Sequence, residues 1–223
     1  MGHSWGRYPS AHYLFRVSLP PVSLDWKDMH FDTRMEMAME SLQMSRAFTL
    51  IEPGPVILVS THNGGKDNVM TISWTMVLDF AAQFAITTGS WNYSYAALQA
   101  SRECVIAIPT VDLIDTVVRV GTCSGVDTDK FTRFKLTRLK AEHVEAPLIK
   151  ECLANIECRV VDIVSQYNIV VLQGVAAYFD STRKEKRTFH AVGDGAFIVD
   201  GRKIDRTEMM RDKLPGGIRP LVD

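Results

Sequence analysis

Apolar and polar positions alternate with a period of two along much of the chain, which is typical of β-strands. The pattern predicts strands in "GPVILVSTH" (54–62), "NVMTISWTM" (68–76) and "AQFAITTG" (82–89), and a buried strand in "ECVIAIP" (103–109). Two long β runs (151–167 and 168–180) and a last run, "TFHAVGDGAFIVDG" (188–201), follow. Because most strands follow one another directly, a regular βαβ alternation is excluded.

Helical signals are fewer. One helix is predicted over 95–102 with Ser94 as its N-cap, and a second over 111–121 with Thr110 as its cap. Strands therefore outnumber helices by roughly two to one. The predicted fold class is mainly β with peripheral helices, arranged as a closed or nearly closed β-barrel.

The strand 68–76 has two different faces. One face is apolar and is predicted to pack in the core: Met70, Ile72, Trp74 and Met76. The other carries small hydroxyls and is predicted either to face solvent or to contact a ligand: Val69, Thr71, Ser73 and Thr75.

The chain is predicted to have three parts. Residues 1–47 carry scattered aromatics and methionines without a regular period, so they read as an extended arm with a short helical piece. Residues 48–201 form the compact domain, and residues 202–223 form a C-terminal extension.

Charge and cysteine content exclude several classes of protein. The 25 basic and 26 acidic residues give no basic excess for nucleic acid or a membrane surface. No apolar run approaches the roughly 18 residues of a membrane span. The four cysteines form no C-x-x-C pair, which favours buried reduced thiols in a cytoplasmic protein and no metal site.

Common catalytic motifs are also absent from the sequence. "NGGKDN" (63–68) lacks the first glycine and the Ser/Thr of a phosphate-binding P-loop. No G-x-G-x-x-G, G-x-S-x-G or H-E-x-x-H occurs. A lone histidine such as His190 is more often structural than catalytic.

Three hydroxyl-rich segments remain as candidates for ligand binding. They are the polar face of strand 68–76, "TTGSWNYS" (87–94) at a helix start, and "CSGVDTDKF" (123–131). Helix-start amides beside a serine, together with Gly125 and Lys130, suit an anion such as a phosphate. Each segment alone has an ordinary structural explanation.

Five blocks in their order and spacing resemble the flavin reductase-like family. The blocks are "NVMTISWTM", "NYSYAALQASRECVIAIPT", "VGTCSGVDTDKF", "APLIKECLANIECRVVD" and "RTFHAVGDGAFIVDG". Members have the FMN-binding split-barrel fold and include flavoredoxin and ferric reductase-like proteins. The resemblance covers residues 48–201.

The resemblance implies non-covalent FMN at a homodimer interface, and no nucleic-acid or membrane partner. Carried over to this chain, it implies His190 as a catalytic residue near the flavin. The implied cofactor-binding residues are Met70, Thr71, Ile72, Ser73, Trp74, Thr88, Asn92, Ser94, Cys123, Ser124, Gly125, Lys130 and Phe131.

The implied function is that of an FMN-dependent oxidoreductase that takes hydride from NADH or NADPH. Electrons would pass to free flavin, a ferric complex or a partner protein. Two alternatives stay open: an FMN-binding electron carrier without nicotinamide turnover, and a non-catalytic ligand-binding barrel.

Overall fold

The computed structural model describes residues 54–79 and 81–211. The described residues all belong to one unit of the chain, Gln43–Asp223. The predicted arm over 1–47 lies outside the described residues, as does the end of the predicted C-terminal extension.

The described part contains eleven strands and four helices. Most strands follow one another directly, and helices separate only a few of them. The strands are β1 (Ile57–Asn63), β2 (Lys66–Ile72), β3 (Thr75–Asp79), β4 (Gln83–Thr87), β5 (Glu103–Ile108), β6 (Arg138–Leu139), β7 (Leu148–Ile149), β8 (Ala154–Val164), β9 (Ile169–Phe179), β10 (Phe189–Ala191) and β11 (Phe197–Val199). The helices are α1 (Ser94–Ser101), α2 (Ile114–Gly121), α3 (Lys130–Arg133) and α4 (Thr207–Met210), with single 3₁₀ turns at Val111–Leu113 and Ser165–Tyr167. The mainly β class predicted from the sequence is confirmed.

Seven strands form one antiparallel sheet, in the order β2-β1-β5-β8-β9-β4-β3. Its two edge strands, β2 and β3, are joined only by Ser73 and Trp74. A flat sheet of seven strands would separate its edges by roughly 29 Å, whereas three extended residue steps span about 10 Å. The sheet must therefore roll until its edges approach each other, as the predicted barrel requires.

The interior of the rolled sheet is the first hydrophobic core. It takes alternate residues of β1 (Ile57 and Val59) and β2 (Met70 and Ile72), together with Leu98 from α1. Residues of β4, β5, β8 and β9 complete it. Since α1 supplies buried side chains to this core, it closes one part of the barrel.

A second hydrophobic core lies on the outer side of β1 and β2. There Leu58 and Val69 pack with Val117 of α2, Phe131 of α3 and Phe189 of β10. Both faces of β1 and β2 are therefore covered, which explains the nearly continuous apolar run "PVILV" in the sequence.

The single strand predicted over 68–76 is wrong. The chain leaves the sheet after Ile72 and re-enters it at the opposite edge as β3. The predicted apolar face is confirmed for Met70 and Ile72, which are buried in the inner core, but it fails after the break, where Trp74 and Met76 are 52% and 56% exposed. Val69, predicted on the polar face, is buried because the outer core covers that side of β2.

The predicted helix caps are also wrong. Ser94 is the first residue of α1, which follows Tyr93 and has no side-chain cap. Thr110 precedes the 3₁₀ turn before α2 without capping it, and its hydroxyl donates to Asp112 instead. A short helix that the sequence does not predict, α3, is capped by Asp129.

A buried carboxylate attaches the segment 141–146 to the sheet. Glu157 on β8 is fully buried and accepts hydrogen bonds from the N–H groups of Glu142 (2.9 Å) and His143 (2.6 Å) and from the Tyr178 hydroxyl (2.8 Å). Burial alone raises the pKa of this carboxyl, but the three hydrogen bonds outweigh burial and hold its pKa below the ordinary value.

We expect Glu157→Gln to lower the free energy of unfolding at neutral pH by about 1–3 kcal/mol, because the two N–H groups lose a charged acceptor. The folded pKa lies below the unfolded value of about 4.3, so this contribution is full above that pH and is lost as the pH falls through the folded pKa. Denaturant titrations across the acid range measure it. Glu145→Gln, with its exposed side chain on the same segment, is the control; equal stability of both variants at every pH would contradict the assignment.

Candidate functional site

A cleft of about 240 Å³ lies between three parts of the chain: β2, the turn that leads into α1, and the α2–α3 loop. Eight of the sequence-predicted residues line it: Met70, Thr71, Asn92, Ser94, Cys123, Ser124, Gly125 and Lys130. Residues from positions 70 to 130 therefore meet because the rolled sheet and α2 bring the three segments together.

The β2 wall is held by two side-chain hydrogen bonds. Thr71 donates its hydroxyl to the carbonyl of Val117 in α2 at 2.6 Å, and Asn68 donates its amide to the Ser94 hydroxyl at 2.8 Å. Gly121 packs closely on Thr71, since a Cβ there would lie 3.2 Å from the Thr71 Cβ. The Thr71 hydroxyl thus fixes α2 on β2 and is not a free donor.

The turn before α1 supplies the second wall. Asn92 donates to the hydroxyl of the buried Thr88 at 3.0 Å, which fixes the turn on the end of β4. The indole of Trp91 folds back on Gly89, where a Cβ would lie 2.4 Å from the ring. Trp91 and Tyr93 are 62% and 44% exposed, so two aromatic surfaces flank the cleft.

The α2–α3 loop supplies the third wall and packs tightly on β2. A Cβ on Gly125 would lie 2.3 Å from the Asn68 amide oxygen, so this position admits only glycine without movement of the loop. Lys66 donates its ammonium to the carbonyls of Gly125 (2.8 Å) and Val126 (3.0 Å). The Ser124 hydroxyl accepts from the Val126 N–H at 3.1 Å.

Lys130 is the buried cation of the cleft. It is only 5% exposed, and its ammonium donates to the carbonyl of Val120 at 2.9 Å. Burial lowers the pKa of Lys130 below its ordinary value. Among the described residues no carboxylate forms an ion pair with it. A buried ammonium without a counter-charge favours an anionic ligand.

Asp129 and Arg138 fix the position of this lysine by holding the start of α3. Asp129 caps α3 by accepting from the Thr132 N–H. It also accepts from the Thr132 hydroxyl at 2.6 Å, and this second hydrogen bond is the main cause that lowers the pKa of Asp129 to about 2. Arg138 donates to Asp129 at 2.7 Å and lies over the Phe131 ring at 4.3 Å. The start of α3, and therefore Lys130, is fixed by the ion pair between Asp129 and Arg138.

Several sequence-predicted site residues lie outside the cleft wall. Ile72 and Phe131 are buried in the inner and outer cores, respectively, because both sides of β2 are covered. Ser73 and Trp74 form the link to β3. Thr88 lies behind two cleft residues: its hydroxyl accepts from Asn92 and lies 3.9 Å from the Met70 sulfur.

His190 also lies outside the cleft, on β10. Its Nε2 is 2.9 Å from a carboxylate oxygen of Asp200, which holds the ring at the β10–β11 hairpin. A catalytic role for His190 stays a prediction.

The sequence interpretation missed Lys66 and Arg138 as parts of the site. Lys66 belongs to "NGGKDN", which fails as a P-loop but lies at the start of β2 beside the cleft loop. Its position in a hairpin with the Gly64-Gly65 turn was the available signal. Nothing in the sequence pairs Arg138 with Asp129.

The fold and the cleft define a flavin reductase-like protein. Residues 50–194 match the family model of the flavin reductase like domain, and the chain belongs to this family. It is similar to an uncharacterized protein of Archaeoglobus fulgidus, with 39% identity over 97 residues, 43% of this chain and 55% of that protein. The chain thus spans about half the length of this relative.

Two solved structures share the fold. One is an FMN-binding domain of a flavin reductases-like enzyme from Shewanella baltica, with 23% identity and a TM-score of 0.62 over 74% of this chain and 96% of that one. The other is flavoredoxin of Desulfovibrio vulgaris, with 20% identity and a TM-score of 0.63 over 76% of this chain and 94% of that one. The predicted split-barrel fold is confirmed.

Residues 54–79 and 81–211 lack two kinds of feature. No helix there is both long and apolar enough to cross a membrane. No group of three or more His, Cys, Asp or Glu side chains there is arranged to hold a metal ion.

Proposed function

We propose that this chain binds FMN non-covalently in the cleft and acts as an FMN-dependent oxidoreductase. The observation that carries the proposal is the buried Lys130 ammonium, which lines the cleft without a paired carboxylate among the described residues. Membership of the flavin reductase-like family supports a flavin as the ligand. The similarity to an FMN-binding domain supports FMN in particular.

The donors of the cleft suit a phosphate group. Lys130 would hold it by charge, and burial strengthens that attraction. The Ser124 hydroxyl accepts from Val126 and so keeps its own proton to donate. Gly125 allows the loop backbone to lie close to β2.

The flavin ring would lie along β2, beside Met70 and Thr71. Because Thr71 donates its proton to Val117, its oxygen can only accept a hydrogen bond from the ring. Ser73 and Trp74 continue this surface toward β3. Trp91 faces it from the turn before α1 and would limit access of water.

FMN, when bound, supplies hydride and single-electron chemistry. We infer that NADH or NADPH is the hydride donor and that free flavin, a ferric complex or a partner protein accepts the electrons. A cytoplasmic location is proposed as well, supported by free thiols at Cys104, Cys152 and Cys158, all buried.

A homodimer with FMN near its interface is part of the proposal. At about 240 Å³ the cleft of one chain lies below the roughly 300–1,000 Å³ of sites that enclose a ligand. The edge strand β3 exposes Met76, Val77 and Leu78, by 56%, 69% and 41%. Three consecutive exposed apolar residues on an edge strand, preceded by the exposed Trp74, are typical of an interaction surface.

We expect the protein as purified, or after addition of FMN, to show oxidised flavin absorbance that NADH or NADPH bleaches under anaerobic conditions. Bleaching follows from hydride transfer to the bound flavin. Stopped-flow spectra measure its rate. A protein that binds FMN but is not reduced by either nicotinamide would support the electron-carrier alternative; a protein that binds no FMN would overturn the proposal.

We expect Lys130→Met to raise the Kd for FMN by about tenfold or more, because one charged hydrogen bond to a phosphate contributes about 1.5–3 kcal/mol. Calorimetry with the protein depleted of FMN measures it. In the wild type, affinity should fall on the alkaline side at a lower pH than for an ordinary lysine, since the pKa of Lys130 is lowered. Lys135→Met, on an exposed lysine of the same segment, should keep the wild-type Kd. Equal values for both variants would remove Lys130 from the site.

We expect Val77→Lys to dissociate the proposed dimer, since it places a charge in the middle of the apolar β3 surface. Sedimentation velocity over a range of concentrations measures the mass. Val161→Lys is the control, because Val161 on β8 is similarly exposed (52%) but lies on a different strand. A wild-type protein that sediments as a monomer, or a Val77→Lys dimer of unchanged stability, would show that β3 is not the interface.

A further inference from the structure

A side chamber of about 90 Å³ adjoins the cleft and shares Asn68, Tyr93 and Ser94 with it. It lies between the β1–β2 hairpin, which contributes Thr61 and Lys66, and the first turn of α1. The volume is several times the roughly 15 Å³ that one water needs. The flavin proposal assigns no role to this chamber.

The Thr61 hydroxyl marks the chamber as polar. Thr61 is fully buried, and its Oγ1 has no hydrogen-bond partner among the described residues. Ile57 and Val59 on the same face of β1 point into the apolar core. For packing alone, a valine at position 61 would be sufficient. A buried hydroxyl without a partner costs about 1–3 kcal/mol, so a polar occupant of the chamber is favoured.

The charge of the wall indicates an anion. Lys66 is the only charged side chain among the described residues that line the chamber, and its ammonium uses two N–H groups on the carbonyls of Gly125 and Val126. One N–H group remains for a ligand. The N-terminus of α1 has no side-chain cap, and its first-turn residues Ser94 and Ala97 line the chamber, so the helix end adds positive potential.

We propose that this chamber binds a small tetrahedral oxyanion of the phosphate type, held by Lys66, Thr61 and the start of α1. The hydrogen bond from Asn68 to Ser94 separates it from the Lys130 site, so the chamber is a second anion site and not an extension of the first. The anion is either inorganic phosphate or the phosphate group of a nucleotide. The inference does not depend on FMN binding.

The test is calorimetric titration of the full-length protein with inorganic phosphate in a chloride buffer, with and without saturating FMN. We expect phosphate binding in both conditions, because FMN would occupy only the Lys130 site. We expect Lys66→Met to raise the phosphate Kd at least tenfold and Thr61→Val to raise it at least threefold. Lys150→Met, on an exposed lysine of the β7 end, should leave the Kd unchanged.

Thr61→Val keeps the test decisive if Lys66→Met disturbs the loop that Lys66 holds. Because the Thr61 hydroxyl has no hydrogen-bond partner in the described part of the chain, this variant should be at least as stable as the wild type without phosphate. Displacement of phosphate by NADP⁺ but not by NAD⁺ would assign the anion to a phosphorylated ribose, and displacement by neither would assign it to free phosphate; both results support the chamber as an oxyanion site.

Three results would overturn the inference. They are absence of phosphate binding in both conditions, phosphate binding that FMN abolishes, and a wild-type phosphate Kd in Thr61→Val. FMN binding is read from the flavin spectrum in the same samples. A failure of the flavin proposal is therefore distinguishable from a failure of the chamber.

Discussion

The connection of β2 to β3 through Ser73 and Trp74 is the constraint on which the rest of the structure depends. Two residues cannot cross a flat sheet of seven strands, so the sheet rolls and gains an inside and an outside. The inside becomes an apolar core. The outside of β1 and β2 must then be covered by α2, α3 and the β10–β11 hairpin, because both strands are apolar on both faces.

The cleft follows from this arrangement. Once α2 is held on β2 by Thr71, the loop after α2 must return beside β2, and Gly125 lets it pack against Asn68. Hydrogen bonds from Lys66 and Arg138 then fix the loop at its middle and at its end before α3, respectively. The polar groups facing a ligand are thus carried by loops, while their positions are set by buried contacts of the barrel.

Much of the fold and of the candidate site could be predicted from the sequence. The errors arise where contacts between segments distant in the chain decide the structure. The strand positions, the barrel class and eight of the cleft residues followed from periodicity, hydroxyl-rich turns and the family resemblance. The break between β2 and β3 at Ser73 could not be predicted in this way. The alternation of apolar and polar residues continues across it, and no Gly or Pro marks it. Ile72 and Phe131 entered the predicted site through the family resemblance, and their burial in the two cores is not visible in the periodicity of the sequence. Lys66 acts through Gly125, which is 59 residues away in the chain, and Arg138 bonds Asp67, which is 71 residues away, as well as Asp129. No local sequence pattern encodes contacts over such distances.

The strand order also constrains how the chain folds. β4 pairs with β9, so that Gln83 lies opposite Gln173, and the barrel cannot close until residues near the C-terminal end of the domain are available. Pairing between such distant strands makes folding slow. During synthesis, β3 and β4 must wait for β9 with an apolar edge exposed. The interval between translation of residue 87 and residue 169 is therefore the period in which this protein is most open to aggregation or to capture by a chaperone.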